Sequence, residues 1–113
     1  MPNMQYLYKQ PTLTLFKGGK MNVKIENMTG RTGRPVANQF IIRVNNRQYF
    51  QSYSTIVAMI DEHGHVFLDR DKWDYSVTTG KYRNQFLCDD GIAETRKKIK
   101  SGEYELIGTL NLT

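Results

Sequence analysis

The residues best suited to chemistry lie in the second half of the chain, where two histidines adjoin two acids. His63 and His65 stand beside Asp61 and Glu62, and imidazole and carboxylate groups are common metal ligands. A defined metal site needs three or four converging ligands, and a tight turn at His63 would separate these side chains. The chain's single cysteine also excludes a multi-cysteine zinc site. The pattern is typical of an exposed polar turn, so we predict no metal site and no cofactor.

A second cluster, Asp69, Asp71 and Asp74, could support acid–base or metal-dependent catalysis because paired carboxylates serve in both kinds of site. Clustered aspartates are more typical of solvated loops and helix caps. No serine or threonine lies in a nucleophile elbow, no phosphate-binding loop pattern occurs, and both histidines fall on one turn. We therefore predict that the protein is not an enzyme and has no catalytic residues.

Basic residues dominate the first half of the chain. Residues 1–57 contain eight lysines and arginines and one acid, a net charge of +7, whereas residues 58–113 carry a net charge of −2. Such an asymmetry indicates an anionic partner, most often nucleic acid. The alternative is that the excess charge serves solubility alone. The basic residues of the first half are Lys9, Lys17, Lys20, Lys24, Arg31, Arg34, Arg43 and Arg47.

Two further cations lie in the segment WDYSVTTGKYRNQF, which predicts a helix that begins at Thr78 or Thr79. The first turn of that helix would carry Lys81 and Arg83 and no acid. A cation at this end is unfavourable by about 0.3–1 kcal/mol, because the helix dipole is positive there. Either an internal carboxylate or a bound phosphate would offset it. The internal candidates are Asp71 and Asp74.

The elements that position these residues begin with a β-hairpin. Asn45 and Asn46 separate two alternating runs and predict a two-residue turn, which places Ile42 opposite Tyr49 and Ile41 opposite Phe50. One face is then expected to be the core face, and the other to be polar around Ile41 and Phe50. Unless a helix covers that second face, Phe50 is suited to stack on bases. The predicted core face carries Phe40, Ile42, Val44, Tyr49 and Tyr53.

The remaining elements complete an α+β prediction. The runs TIVAMID and HVFLD predict a second hairpin, which gives a four-stranded meander over residues 38–69. TLTLFK and MNVKIEN predict an earlier hairpin or two edge strands. The helices TTGKYRNQFL and IAETRKKIKS follow, and residues 104–112 return to strand character. We expect a single domain over residues 1–113, with residues 1–20 as an N-terminal extension. The predicted fold is a mainly antiparallel sheet of hairpins with one or two short helices near the C-terminal end.

Two motifs in this stretch carry a resemblance. SYSTIVAMID places an aromatic residue, Ser-Tyr-x-Thr and an apolar Val-Ala run before a hairpin, and KWDYSVTTGKYRNQFL adds a Trp and a Ser/Thr-rich stretch that ends in Thr-Thr-x-Lys. Together they resemble a family of small uncharacterised proteins of bacteriophages and plasmids, over roughly residues 36–110. The resemblance implies a phage or mobile-element origin and carries no site residues with it.

The sequence thus favours a small, non-enzymatic, phage-derived protein that binds DNA or RNA in the cytoplasm of an infected bacterial host. The alternatives are a protein-binding inhibitor of a host defence system, such as an anti-CRISPR protein, a virion component and, more remotely, a metal-dependent nuclease. No apolar run reaches the roughly 18 residues that span a bilayer, so no membrane partner is expected. The predicted nucleic-acid contacts are Arg31, Arg34, Arg43, Arg47, Phe50, Lys81, Tyr82 and Arg83.

Overall fold

The computed structural model describes residues 22–111, which form a six-stranded sheet and two helices, in agreement with the α+β prediction. The predicted strand at residues 12–17 and the predicted extension at residues 1–20 lie outside the described residues. Neither helix within these residues has the length and the apolar character that crossing a membrane requires. The strands are β1 (Val23–Thr29), β2 (Pro35–Val44), β3 (Arg47–Ser52), β4 (Thr55–Ile60), β5 (Val66–Asp69) and β6 (Tyr104–Ile107), and the helices are α1 (Val77–Leu87) and α2 (Ile92–Ser101).

The strands follow one another across the sheet in chain order. β1 to β5 form an antiparallel meander, whereas β6 pairs in parallel with β5, so that Val66 lies opposite Tyr104. Parallel neighbours require a crossover connection, because the chain must return to the end at which the first strand began. The segment that contains α1 and α2 supplies this crossover, and both helices therefore lie near the C-terminal end, as predicted.

The predicted register of the β2–β3 hairpin is confirmed. Ile42 lies opposite Tyr49 and Ile41 opposite Phe50, with Asn45 at a φ of 56° in the turn. Asparagine tolerates this left-handed conformation better than most residues, which explains why the turn forms at this position. The register fixes which side chains share a face of the sheet.

Helix α1 covers the face that was predicted to be polar around Ile41 and Phe50, so that face is part of the core and Phe50 is not free to stack on bases. Phe50 lies directly opposite Ala58, which in turn lies opposite Leu68, so these strands present an apolar strip on one side. Tyr82 and Phe86 of α1 cover that strip, and the Phe50 and Phe86 rings stack with centroids 5.9 Å apart. Because the strip contains residues of three strands, it cannot be recognised from the sequence of the β2–β3 hairpin alone.

The opposite face is buried as predicted at Phe40, Ile42, Val44 and Tyr49. Tyr53 is the exception, since its side chain is 49% exposed. It has a φ of 58° and lies in the turn between β3 and β4, so the alternation of the strand ends before it. The prediction that Tyr53 faces the core is therefore wrong.

A buried carboxylate attaches the crossover to β6. Asp89 accepts hydrogen bonds from Thr95 Oγ1 at 2.8 Å, Lys98 Nζ at 2.9 Å and the Tyr104 hydroxyl at 2.9 Å. Burial raises the pKa of Asp89, but these bonds outweigh it and hold that pKa below its usual value. Burial and the bond to Asp89 together raise the pKa of Tyr104 to about 12. The network stabilises α2 against the end of the sheet.

Candidate functional site

Helix α1 begins earlier than predicted, and this changes the position of its cations. Ser76 is the N-cap, and its side chain accepts a hydrogen bond from Thr79 N at 3.1 Å. Val77 is then the first helical residue, so Lys81 and Arg83 lie in the second turn and the first turn carries no charge. The dipole effect falls off beyond the first turn, so the predicted electrostatic conflict is much weaker than the sequence indicated.

Arg83 is held inside the protein, with none of its side chain exposed. Its guanidinium donates to Trp73 O and to Asn84 Oδ1, each at 2.7 Å, and lies 3.7 Å from Asp74 Oδ1. Burial lowers the pKa of Arg83, and the carboxylates of Asp74 and Asp89 act in the opposite direction. Asp74 is thus the internal carboxylate that the sequence left open, and the prediction that Arg83 contacts nucleic acid is wrong.

The two predicted aromatic contacts are also part of the core. Phe50 is fully buried beneath α1, and Tyr82 is buried on the face of α1 that covers the sheet. Neither ring is available to a base, because both are needed to fill the space between helix and sheet. The expectations of base contacts at Phe50 and Tyr82 are wrong for this reason.

Two of the predicted arginines are paired with acids. Arg43 Nη1 lies 2.6 Å from Glu26 Oε1, and this hydrogen bond lowers the pKa of Glu26. Arg47 Nε lies 3.1 Å from Glu62 Oε1, between the start of β3 and the turn that follows β4. Arg43 and Arg47 are only partly buried, so these pairs do not exclude a ligand, but they reduce the charge available to one.

Three predicted cations remain exposed: Arg31 and Arg34 in the β1–β2 loop and Lys81 on α1. Within residues 22–111, none of them has a carboxylate at ion-pair distance. The loop lies against α1, because Gln85 Nε2 donates to Thr29 O at 3.0 Å. Lys81 precedes Gln85 by one helical turn and so projects from the same side of the helix. We call Arg31, Arg34 and Lys81 the cationic flank.

Exposed aromatic residues lie around the start of α1. The Thr79 hydroxyl is 2.8 Å from Ser52 Oγ and 2.9 Å from Ser76 Oγ. Tyr53 follows Ser52 in the chain and Tyr75 precedes Ser76, so both tyrosines emerge beside the first turn of the helix. The large apolar side chains exposed here are Tyr53 at 49%, Tyr75 at 41% and Val77 at 90%.

An open cleft of about 580 Å³ lies between the segment before α1, the outer side of α1 and the start of α2. Its walls combine apolar surface with a carboxylate, an ammonium group and an amide, an arrangement typical of ligand-binding clefts. In the part of the chain that the structure describes, no three His, Cys, Asp or Glu side chains are grouped to hold a metal. The cleft thus offers stacking and hydrogen-bonding groups. Its lining includes Asp74, Tyr75, Gly80, Lys81, Asn84 and Ile92.

Sequence reasoning identified the cations of the site but not its aromatic residues. The sequence predicts no role for Tyr75, and it places Tyr53 on the core face of the β2–β3 hairpin. The Ser-Tyr-Ser sequence at the end of β3 is the available signal, since a tyrosine between two small polar residues is typical of a turn. The cleft itself had no sequence signal, because it depends on how α1 and α2 meet.

Comparison with known proteins places the chain in a family. No curated protein and no solved structure matches it. A family of unknown function, DUF8033, matches residues 23–102, which contain β1 to β5 and both helices. Because the match covers more than half of the chain, this protein belongs to the DUF8033 family of unknown function.

Proposed function

We propose that this protein is a small, non-enzymatic nucleic-acid-binding protein of phage or mobile-element origin that acts in the cytoplasm of a bacterial host. The observation that carries the proposal is the cationic flank, whose three exposed side chains have no ion-pair partner within residues 22–111. Such side chains can neutralise phosphates, which supply most of the affinity for nucleic acid. The motifs within residues 36–110 support the origin.

Several other basic residues have structural explanations that the cationic flank lacks. Arg43 and Arg47 are paired with acids, and Arg83 is buried against Trp73. Lys100 lies in the last turn of α2, where the helix dipole favours a cation. Among the exposed cations without such an explanation, Arg31, Arg34 and Lys81 lie on α1 and on the loop that packs against it.

The test compares a variant that lacks the three charges of the cationic flank with a control variant that lacks three charges elsewhere. We expect a triple variant with Arg31→Gln, Arg34→Gln and Lys81→Gln to bind a labelled single-stranded oligonucleotide more weakly, as measured by fluorescence anisotropy over a range of salt concentrations. Each lost phosphate contact should flatten the slope of log K against log salt by roughly 0.7, so three should remove about 2.

The control variant carries Arg70→Gln, Lys97→Gln and Lys100→Gln, which removes the same charge from exposed positions elsewhere. It should retain most of the wild-type slope. Equal losses in the two variants would show that net charge alone attracts the oligonucleotide. If the wild-type protein binds neither DNA nor RNA at low salt, the proposed function is wrong.

A second candidate function, a protein-binding inhibitor of a host defence system or a virion component, is favoured by Val77. This side chain is 90% exposed beside two exposed tyrosines, and exposed apolar residues grouped with aromatics are typical of protein-binding surfaces. Affinity capture from host lysate, before and after nuclease treatment, separates the two functions. A specific partner that survives nuclease and is lost in Val77→Asp would favour protein binding.

A further inference from the structure

We propose that the cleft beside α1 binds one unstacked base of a single-stranded nucleic acid, with a preference for bases that carry an amino group. This inference rests on the proposed nucleic-acid binding and names the form of the ligand. It is argued from a glycine, an exposed tyrosine and a carboxylate that line the cleft.

Gly80 has no structural requirement to be glycine. It lies inside α1, where every residue except proline is more favourable. A Cβ atom at this position would come no closer than 3.6 Å to another atom, at Arg83 Nη1, which is ordinary van der Waals contact. Its φ is not in the left-handed region, so the backbone does not require glycine either. Because Gly80 lines the cleft, its missing side chain leaves the helix backbone open to close approach by a ligand.

Tyr75 supplies a surface on which a base can stack. Tyr75 lines the cleft and is 41% exposed, and Lys72 Nζ lies 5.3 Å from the centroid of its ring. Aromatic rings in a cationic setting bind single strands by stacking. A base in a duplex is already stacked on both sides, so only a single strand or an extruded base can occupy such a cleft.

Asp74 supplies the polar recognition. Its two oxygens lie 3.7 Å from Arg83 Nη1 and 3.8 Å from Arg96 Nη2, which is ion-pair distance and longer than a hydrogen bond. The carboxylate therefore retains acceptor capacity while two arginines balance its charge. Adenine, cytosine and guanine carry an exocyclic amino group that projects from the ring edge, whereas thymine and uracil offer only the ring N3–H as a donor. Lys81, also on the cleft, is placed to meet the phosphate next to the bound base.

The test compares the binding of labelled oligo(dC), oligo(dT) and a duplex of the same length by fluorescence anisotropy at one low salt concentration. We expect the wild-type protein to bind oligo(dC) most tightly. The Gly80→Met variant places a side chain in the cleft, so the bound base can no longer stack there. The affinity for oligo(dC) should therefore fall roughly tenfold, to about the level of oligo(dT). The melting temperature of the variant should stay at or above that of the wild type, because methionine is the better helix former.

Two further variants make the result specific. Thr78→Met adds the same side chain to an exposed position of α1 outside the cleft and should retain the wild-type preference. Asp74→Asn should narrow the difference between oligo(dC) and oligo(dT), because an amide presents a donor as well as an acceptor.

Two results would overturn the inference alone. One is a wild-type protein with no preference for oligo(dC), and the other is a folded Gly80→Met variant that binds as the wild type does. In either case a loss of binding in the cationic-flank variant would leave the proposed function intact. If the wild-type protein binds none of the three probes and no RNA oligonucleotide of the same length, both proposals are wrong.

Discussion

Ser52 Oγ lies 2.8 Å from Thr79 Oγ1, and this buried hydrogen bond joins the end of β3 to the first turn of α1. The Thr79 hydroxyl also accepts a hydrogen bond from Ser76 Oγ, the N-cap of that helix, at 2.9 Å. One hydroxyl thus connects the two chain segments from which Tyr53 and Tyr75 emerge. The spacing of the exposed tyrosines therefore depends on a contact within the protein.

The first prediction concerns this hydroxyl. Thr79→Val keeps the shape of the side chain but leaves the buried Ser52 hydroxyl without its partner on α1, so the free energy of unfolding should fall by about 1–3 kcal/mol. Urea denaturation monitored by circular dichroism measures the change. Thr78→Val is the matched control, since Thr78 is exposed, and should change stability by no more than about 0.5 kcal/mol. Equal stability of the two variants would contradict the structural role of the bridge.

The second prediction separates core from surface aromatic residues. Phe50→Ala should lower the free energy of unfolding by about 3–5 kcal/mol, because the side chain is fully buried against Phe86. Tyr53→Ala should cost much less, because about half of the tyrosine side chain is already exposed. Chemical denaturation of the two variants tests this contrast. A comparable loss in both would mean that the exposed turn contributes as much as the core.

Local signals in the sequence account for the parts of the fold that could be predicted. Asn45 and Asn46 determine the hairpin register, because the turn type depends on the residues within it. Gly102 likewise ends α2 with a φ of 88°, directly after the predicted helix IAETRKKIKS. The start of α1 was less determined, because Ser76, Thr78 and Thr79 can each act as an N-cap.

The parts that could not be predicted depend on contacts distant in sequence. Both faces of the β2–β3 hairpin carry large apolar residues, so the hairpin alone does not determine which face a helix will cover. The burial of Arg83 requires Trp73 O and Asn84 Oδ1 to converge on its guanidinium, and no local pattern indicates this. Arg31 and Arg34 were easier to place, because a loop of glycine, proline and arginine has no apolar side chain to bury.

The third prediction is an acid-dependent loss of stability centred on Asp89. Its hydrogen bonds hold the pKa in the folded protein below the ordinary value of 3.8, so the ionised carboxylate stabilises the fold. This contribution is fully present above that ordinary value and is lost as the pH falls through the lower pKa of the folded state. The free energy of unfolding, measured in urea at a series of pH values, should therefore decrease below about pH 4.

Asp89→Asn tests the assignment of this effect. The variant should be less stable at neutral pH by about 3 kcal/mol, because the buried donors lose their charged acceptor, and its stability should depend less on pH in the acid range. Asp90→Asn changes an exposed neighbour and should keep the wild-type acid dependence. If both variants show the same acid dependence as the wild type, Asp89 is not the group responsible.

The last prediction is that Lys81 and Arg83, two cations of one helix, have different roles. Arg83→Lys keeps the charge but cannot reproduce the two guanidinium hydrogen bonds to Trp73 O and Asn84 Oδ1, so the free energy of unfolding should fall by about 2 kcal/mol or more. Lys81→Gln removes an exposed charge and should leave stability within about 0.5 kcal/mol. Lys81→Gln should instead affect nucleic-acid binding, seen as a flatter slope of log K against log salt. Urea denaturation and fluorescence anisotropy of both variants test this assignment. An Arg83→Lys variant as stable as the wild type, or a strongly destabilised Lys81→Gln variant, would contradict it.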